Sequence, residues 1–394
     1  MLRAVGGTLA VCVLGIVLLR TTVAAPHECP ALSPVALGAA ASASALWISD
    51  SQDADGRYVY EYDAEADTFS DEYNVVRHAG VTMSLYQSAA LGDLSALPAA
   101  DRGTDWMVAN LIRHDGWAAL QNPDTKRVKL GASSLMLAGL TQRRLATGDS
   151  RHDELMGEIA RFLVVMQRAD GSMLNYWLPS TGAPDPAVTS RYATGEAFWA
   201  LAQMHRHFPE GGWDAPTLLL ADYLALYRDE VEGLDFPPWA DQWAAYGLAE
   251  MGDWPPSDVH IDYARSLAER FGFLMRVESQ RTGGGLNEVI HGPHTRAAGM
   301  GTWVEGLNSL WRLSVIDERM ADLEPKIAER ATCGAALLAE RQVTDDEAAG
   351  YARPGLAAGA WFRDGITRMD DQQHALSGLA LTGAILDRRK GGPQ

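Results

Sequence analysis

The segment from Tyr192 to Met204 combines potentially catalytic side chains with a strongly apolar helix. Tyr192, Thr194 and Glu196 stand at its start, and most of the later residues are apolar. A helix that is apolar on nearly all sides is normally buried, and an ionised carboxylate in its first turn gains from the positive end of the helix dipole. The pattern therefore predicts a buried helix that carries an acid or base, Glu196, at its N-terminal end. The alternative is that Glu196 only stabilises the helix terminus.

Five further segments have the same design, with polar residues before or within the first turn of an apolar helix. When one residue is taken as a marker for each segment, the segments recur every 46 to 69 residues. Amphipathic helices separate them. A supersecondary unit that repeats at such a period is typical of stacked helical hairpins. The six markers are His78, Gly131, Glu196, Gln242, Glu305 and His374.

These patterns predict twelve helices in six pairs. The apolar members would form an inner ring and the amphipathic members an outer ring. The predicted fold class is all-α, a closed (α/α)6 toroid with short β-hairpins at its mouth. An open solenoid is the alternative, but neither end of the chain has the polar capping repeat that a solenoid requires. We expect one toroid domain over residues 26–394, preceded by a separate N-terminal segment, residues 1–25.

The N-terminal segment has the composition of a targeting sequence. Arg3 precedes an apolar run that ends at Leu19, and small residues follow Arg20, as in a secretory signal peptide. This pattern indicates export to the periplasm or the cell exterior. An uncleaved anchor that attaches the protein to the membrane is the alternative, although an apolar run of sixteen residues is short for a membrane span.

Two cysteines, Cys29 and Cys333, follow the targeting segment. They could pair in an oxidising compartment and join the N-terminal arm to a late helix, or remain as buried thiols. Neither a Cys-x-x-Cys nor a His-x-x-x-His motif is present, so we predict no metal site. His291 and His294 lie in a Gly-Pro loop, which favours a binding loop or a solvated turn. No pattern predicts a cofactor.

The overall charge restricts the classes of partner. A net charge of −18 disfavours binding to nucleic acid or to an anionic membrane surface, because both would repel the protein. The basic run at residues 388–390 is too short to override this average. The sequence leaves the oligomeric state open.

The helix pairs and their connections resemble the six-hairpin glycosidase superfamily. They are also similar to the N-acylglucosamine 2-epimerase-like toroids and to the C-terminal toroids of glucuronyl C5-epimerases. Asp-Gly pairs precede three inner helices, at Asp55-Gly56, Asp115-Gly116 and Asp170-Gly171. The resemblance covers roughly residues 33–389. It implies an exported carbohydrate-active enzyme with an oligo- or polysaccharide as its partner, in the first place a glycoside hydrolase that acts on an acidic or cell-envelope glycan. The alternatives are a sugar or uronate epimerase and a noncatalytic glycan-binding or assembly protein.

In such a toroid, the first turns of the inner helices and the loops before them converge on one mouth. Two carboxylates on opposite walls would act as acid and as base or nucleophile in glycoside cleavage. The pair that we expect is Glu196 with Asp241 or Glu305. In an epimerase, His78, His374 or tyrosines would instead transfer protons at carbon. Each of these residues has a structural alternative, since buried carboxylates and histidines also brace helices through ion pairs and hydrogen bonds.

Aromatic and polar residues near the mouth are expected to bind the sugar. Aromatic faces pack against the apolar faces of pyranose rings, while carboxylates and amides bind hydroxyl groups. Arg77, Arg296 and Arg363 could clamp a carboxylated sugar bidentately. Asp370 and Asp371 could instead only cap the last helix. The expected substrate-binding residues are Asn74, Arg77, Lys129, Tyr176, Tyr192, Trp239, Gln242, Trp243, Arg296, Trp361, Arg363, Asp370 and Asp371.

Overall fold

The computed structural model describes residues 2–21, 28–234, 239–254 and 256–390, and most of them are helical. The α-helices in chain order are α1 (Leu2–Thr21), α2 (Pro34–Asp50), α3 (Val75–Ala90), α4 (Leu97–Ala109), α5 (Leu130–Thr147), α6 (Asp153–Val165), α7 (Ala193–His207), α8 (Asp214–Leu226), α9 (Arg228–Val231), α10 (Gln242–Glu250), α11 (Asp258–Glu278), α12 (Gly285–His291), α13 (Ala297–Ile316), α14 (Glu324–Glu340), α15 (Asp345–Ala348) and α16 (Met369–Lys390).

Twelve of these helices form two concentric rings. In the inner ring, α3, α5, α7, α10, α13 and α16 each pack against the next, and α16 packs against α3, so the ring is closed. The outer helices α2, α4, α6, α8, α11 and α14 pack on the outside of the inner ones. The predicted all-α fold, a closed toroid of six helix pairs, is therefore confirmed. The short helices α9, α12 and α15 lie in connections and were not predicted.

Short strands precede several inner helices. They are β1 (Glu61–Asp63), β2 (Thr68–Phe69), β3 (Leu111–His114), β4 (Trp117–Leu120), β5 (Val128–Lys129), β6 (Tyr176–Leu178), β7 (Ala183–Pro184) and β8 (Ile366–Arg368). They pair in the orders β2-β1-β8, β3-β4 and β5-β6-β7, always antiparallel. β5 and β8 run directly into α5 and α16. The alternating pattern of residues 57–62 is typical of a strand over that whole range, but regular strand structure begins only at Glu61.

One Asp-Gly pair is itself a hairpin turn. Asp115 and Gly116 join β3 to β4 and have φ angles of 46° and 80°. Positive φ at both central residues is what a two-residue hairpin turn needs, and the Asp-Gly sequence favours it. The hairpin therefore consists of β3 and β4, with the Asp-Gly pair between its two strands.

Buried aromatic residues hold α7 against α10. The ring of Trp199 on α7 lies 5.5 Å from that of Trp243 and 4.3 Å from that of Tyr246, centroid to centroid, and all three rings are close to parallel. All three side chains are almost fully buried. Aromatic side chains bury large apolar areas, so this stack fixes the positions of two inner helices that reach the mouth.

The N-terminal arm is tied to the toroid covalently. Cys29 and Cys333 form a disulfide bond, and the backbone N–H of Glu28 donates to the carbonyl of Ser279 at 2.9 Å. The pairing that the sequence left open is therefore present. In the described part of the chain, no helix has both the length and the apolar character needed to cross a bilayer.

Candidate active site

A cavity of about 860 Å³ lies at the end of the toroid where the inner helices begin. Residues at the start of all six inner helices contribute to its wall, so these helices converge on one mouth as expected. Of the residues predicted from sequence, those on the wall are Asn74, Arg77, Lys129, Tyr176, Tyr192, Glu196, Trp239, Gln242, Trp243, Asp370 and His374.

Glu196 lies in the first turn of α7 and is 4% exposed. Burial raises the pKa of its carboxyl to about 8; the negative charge of Asp241 adds to the rise, and the positive charge of Lys129 opposes it. Its Oε2 atom is buried and has no hydrogen-bond partner among the described residues. At neutral pH this carboxyl group is therefore protonated, as a proton donor in catalysis must be.

The neighbouring inner helix leaves room for this carboxyl group. Gly131 lies in the first turn of α5, and a Cβ atom at that position would clash with Oε2 of Glu196. A larger residue at this position would have to displace the Glu196 carboxyl group, because α5 approaches that side chain closely. This contact fixes the carboxyl group at the boundary between α5 and α7.

His374 and Glu305 form a hydrogen-bonded pair at the junction of α16 and α13. The His374 Nδ1–H donates to Glu305 Oε2 at 2.9 Å. His374 is on the cavity wall, whereas Glu305 is fully buried behind it. Burial lowers the pKa of His374, but the Glu305 carboxylate more than offsets this effect, and the pKa lies above its ordinary value. With Nδ1 carrying a proton, Nε2 of the neutral ring can accept one.

Arg77 and Asp370 form an ion pair on the cavity wall. Arg77 Nη2 lies 3.0 Å from Asp370 Oδ2, and Arg77 Nη1 donates to the Tyr60 hydroxyl at 2.7 Å. Asp370 Oδ1 is buried without a partner among the described residues. The guanidinium that was expected to clamp a carboxylated sugar therefore already binds a carboxylate and a phenol of the protein.

Asp241, which was predicted to be catalytic, lies outside the wall. Its Oδ1 accepts the backbone N–H groups of Trp243 and Ala244 at 2.9 and 3.2 Å, and its Oδ2 is paired with Arg228 Nη1. Arg228 is fully buried. Both oxygens are engaged in capping α10 and in a buried ion pair, so the geometry gives Asp241 no contact with a substrate. Its charge reaches the site only through its effect on the pKa of Glu196.

His78, the other predicted proton-transfer histidine, also lies outside the wall. Its Nε2–H donates to the Gly103 carbonyl at 2.9 Å, and its Nδ1 accepts from the Tyr73 hydroxyl at 2.7 Å. The ring packs on Trp106, 4.3 Å away between centroids. Burial lowers the pKa of His78 to about 4. The ring is neutral and both nitrogens are occupied, so it joins α3 to α4 and does not face a substrate.

Two predicted arginines bind backbone carbonyls away from the cavity. Arg296 Nη2 donates to the carbonyl of Ile366 at 3.0 Å, and Arg363 Nη1 donates to the carbonyl of His294. Neither is part of the wall. They stabilise the loops that precede α13 and α16, so the predicted three-arginine clamp is not assembled. Among the described residues, no three His, Cys, Asp or Glu side chains are placed to hold a metal ion.

Two further residues predicted to bind substrate are buried in structural contacts. Trp361 Nε1 donates to the carbonyl of Leu338 at 2.9 Å. Asp371 accepts the backbone N–H groups of Ala298 and Arg368, at 3.0 and 3.2 Å. Asp371 thus takes the capping alternative, and of the two consecutive aspartates only Asp370 reaches the cavity.

Comparison with known proteins finds solved structures of similar fold. No family model and no curated protein matches the chain. A family 76 glycoside hydrolase (mannosidase) from Bacteroides thetaiotaomicron superposes with a TM-score of 0.60 at 11% identity, covering 90% of this chain and 99% of the other. The cellobiose 2-epimerase from Spirochaeta thermophila gives 0.58 at 14% identity (91% and 100%), and a D-mannose isomerase gives 0.59 at 12% (91% and 99%).

The chain has the six-hairpin toroid fold. At these identities the likeness establishes the fold alone. The chemistry of this toroid therefore has to follow from the residues of its own cavity.

Several wall residues of this toroid were not predicted. They are Asn175, Ser190, Arg191 and Thr302 among others. Ser190 accepts the backbone N–H groups of Tyr192 and Ala193 at the start of α7, both at 3.3 Å. Ser190 and Arg191 could have been predicted from their position just before Tyr192, because residues that immediately precede an inner helix lie at the mouth.

Proposed function

We propose that this protein is a carbohydrate-active enzyme that interconverts sugars by acid–base catalysis, as an epimerase or isomerase. The observation that carries the proposal is the presence of two proton-transfer groups on the wall of one cavity, the protonated carboxyl of Glu196 and the imidazole of His374, which is hydrogen-bonded to Glu305. Tyr176, Tyr192 and Trp239 on the same wall provide the aromatic faces on which pyranose rings pack. The fold shared with sugar epimerases and isomerases supports the substrate class.

The two groups have complementary roles in this reaction. His374 Nε2 accepts the proton from the carbon next to the carbonyl group of an open-chain sugar. Glu196 donates its proton to the carbonyl oxygen, which gives an enediol. For the epimer, the enediol turns about its neighbouring C–C bond, the His374 imidazolium returns the proton to the opposite face of the same carbon, and Glu196 recovers the proton from the carbonyl-derived hydroxyl group. For the isomer, His374 returns the proton to the former carbonyl carbon, and Glu196 recovers the proton of the adjacent hydroxyl group. Glu305 stabilises the imidazolium that forms, because its carboxylate accepts the Nδ1–H bond.

Hydrolysis of an acidic or cell-envelope glycan is the second candidate. It is supported by the protonated Glu196, which suits a general acid, and by the presence of a second carboxylate, Asp370, on the same wall. Asp370 is less suited to act as base or nucleophile, because Oδ2 is paired with Arg77 and Oδ1 is buried. Asp241 and Glu305, which were expected to pair with Glu196, are not on the wall.

Product analysis distinguishes the two candidates. The purified protein is incubated with mono-, di- and oligosaccharides, and the products are separated by chromatography. We expect an epimer or isomer of unchanged chain length, and its loss in Glu196→Gln and His374→Asn. His291→Asn, a histidine outside the cavity, is the matched control and should retain activity. Shortened chains would favour hydrolysis, and binding without any product would favour a glycan-binding protein.

We also propose that the protein is exported to the periplasm or cell exterior, with residues 1–25 as a signal peptide or membrane anchor. The Cys29–Cys333 disulfide supports this location, because such bonds persist in oxidising compartments. Cell fractionation with mass spectrometry of the N-terminus tests it. A cytoplasmic protein with both thiols free would contradict export, and a processed N-terminus would exclude the anchor.

A further inference from the structure

The cavity wall is more positively charged than the whole protein, whose net charge is −18. Arg77, Lys129 and Arg191 line it together with the two carboxyl groups of Asp370 and Glu196. Asp370 is compensated by Arg77, and Glu196 is protonated at neutral pH. Among the described residues, no carboxylate forms a salt bridge with Lys129 or Arg191. Two positive charges of the wall are therefore left without a counter-charge from the described part of the chain.

Lys129 is held beside an aromatic ring by a β-ladder. It pairs directly with Tyr176 in the antiparallel register of β5 and β6, so the two side chains are on the same face of the sheet. The Lys129 Nζ atom lies 6.0 Å from the centroid of the Tyr176 ring. Because β5 continues directly into α5, both the sheet and the helix fix the backbone of Lys129.

Arg191 lies beside a second aromatic ring of the wall. Its Cζ atom is 5.3 Å from the centroid of Trp239, and Trp239 meets the ring of Tyr192 edge to face at 5.2 Å. A cation therefore lies over one face of an aromatic ring at two places on the cavity wall. The aromatic faces suit the apolar face of a pyranose, and the cations suit a negatively charged substituent of the same sugar.

We propose that Lys129 and Arg191 bind the anionic substituent, a carboxylate or a sulfate, of a sugar whose ring packs on Tyr176 or Trp239. This inference rests on the proposed function, because it assigns the substrate class of the same cavity. A positively charged cleft with low-dielectric walls concentrates anions, whereas a neutral sugar gains nothing from these charges. The three-arginine clamp expected from the sequence is thereby replaced by a lysine and a different arginine.

Calorimetric titration of the intact protein tests the site. The probes are glucose with glucuronate, mannose with mannuronate, and glucose 6-sulfate, so that carboxylate and sulfate are compared on one ring. The variants are Lys129→Met and Lys129→Arg. Lys326→Met is the control, because Lys326 lies in an outer groove beside α11 and its loss changes the net charge equally.

We expect the wild type to bind at least one anionic sugar more tightly than its neutral counterpart. Lys129→Met should weaken that binding about tenfold or more, as expected for hydrogen bonds to charged groups. Lys129→Arg and Lys326→Met should bind it like the wild type, and the neutral sugars should change less than about twofold.

Equal binding of neutral and anionic sugars, equal anion binding by Lys129→Met, or no binding of any probe would overturn the inference. Turnover of neutral sugars alone would contradict the anion-binding inference and would leave the proposed function intact. Binding of an anionic sugar that depends on Lys129 but is not followed by turnover would support the anion-binding inference and contradict the proposed function.

Discussion

Replacement of Glu196 by glutamine is expected to stabilise the folded protein while it removes the catalytic acid. In the folded state Glu196 keeps its proton up to about pH 8, whereas in the unfolded chain it ionises above its ordinary value of 4.5. Between these values the folded state binds more protons than the unfolded state. The free energy of unfolding of the wild type therefore falls as the pH rises through this window.

The size of the effect follows from this window. One pH unit corresponds to about 1.4 kcal/mol for a single group. The raised pKa of Glu196 therefore lowers the unfolding free energy of the wild type by about 3 kcal/mol at pH 7 and by about 5 kcal/mol above pH 8. Glutamine has nearly the same shape and does not titrate. The difference in unfolding free energy, Glu196→Gln minus wild type, should therefore rise from pH 4 to pH 8 and be constant beyond these limits.

Urea unfolding followed by far-ultraviolet circular dichroism at pH 4, 5.5, 7 and 8.5 measures this difference. Glu340→Gln, at an exposed position at the end of α14, is the matched control and should show no such rise. A difference that stays the same at all four pH values would refute the reasoning, because Glu196 would then ionise alike in the folded and unfolded states.

Three further predictions test the other contacts. Glu305→Gln should shift the acidic limb of the kcat profile to lower pH, since the carboxylate that raises the pKa of His374 is removed; a limb that does not move would show that His374 titrates independently. Asp241→Asn should lower the free energy of unfolding in urea by about 3–5 kcal/mol, because the buried Arg228 loses its nearest carboxylate and keeps only Asp229, 3.8 Å away; loss of activity at unchanged stability would instead indicate catalysis. Cys333→Ser should cost about 2–4 kcal/mol under oxidising conditions and nothing measurable relative to the reduced wild type; equal stability to the oxidised protein would contradict a structural disulfide.

The ring architecture could be predicted because it depends on periodic apolar patterns. Each inner helix has few polar residues beyond its first turn, and such a helix is stable only when surrounded by other helices. Six of them at regular spacing leave a closed ring as the natural arrangement. The same reasoning placed Glu196 and His374 at the mouth, since Glu196 stands in the first turn of α7 and His374 in the second turn of α16.

The roles of individual side chains at the mouth could be predicted less well. An aspartate just before a helix suits both a cap and a catalytic group, and Asp241 proved to be a cap because Arg228, on the separate helix α9, takes its second oxygen. His78 stands near the start of an inner helix, as His374 does, but its ring faces Gly103 on an outer helix. Such partners are set by tertiary packing, which local sequence spacing does not encode.

The central claim is that His374 moves a proton to and from a sugar carbon while Glu196 protonates the carbonyl oxygen. Its most direct test is NMR detection of deuterium incorporated from D₂O during turnover. We predict deuterium at the carbon next to the carbonyl group with the wild-type protein, and none with His374→Asn. Turnover by the wild type with no deuterium on any sugar carbon, or deuterium incorporation that persists in His374→Asn, would contradict the account.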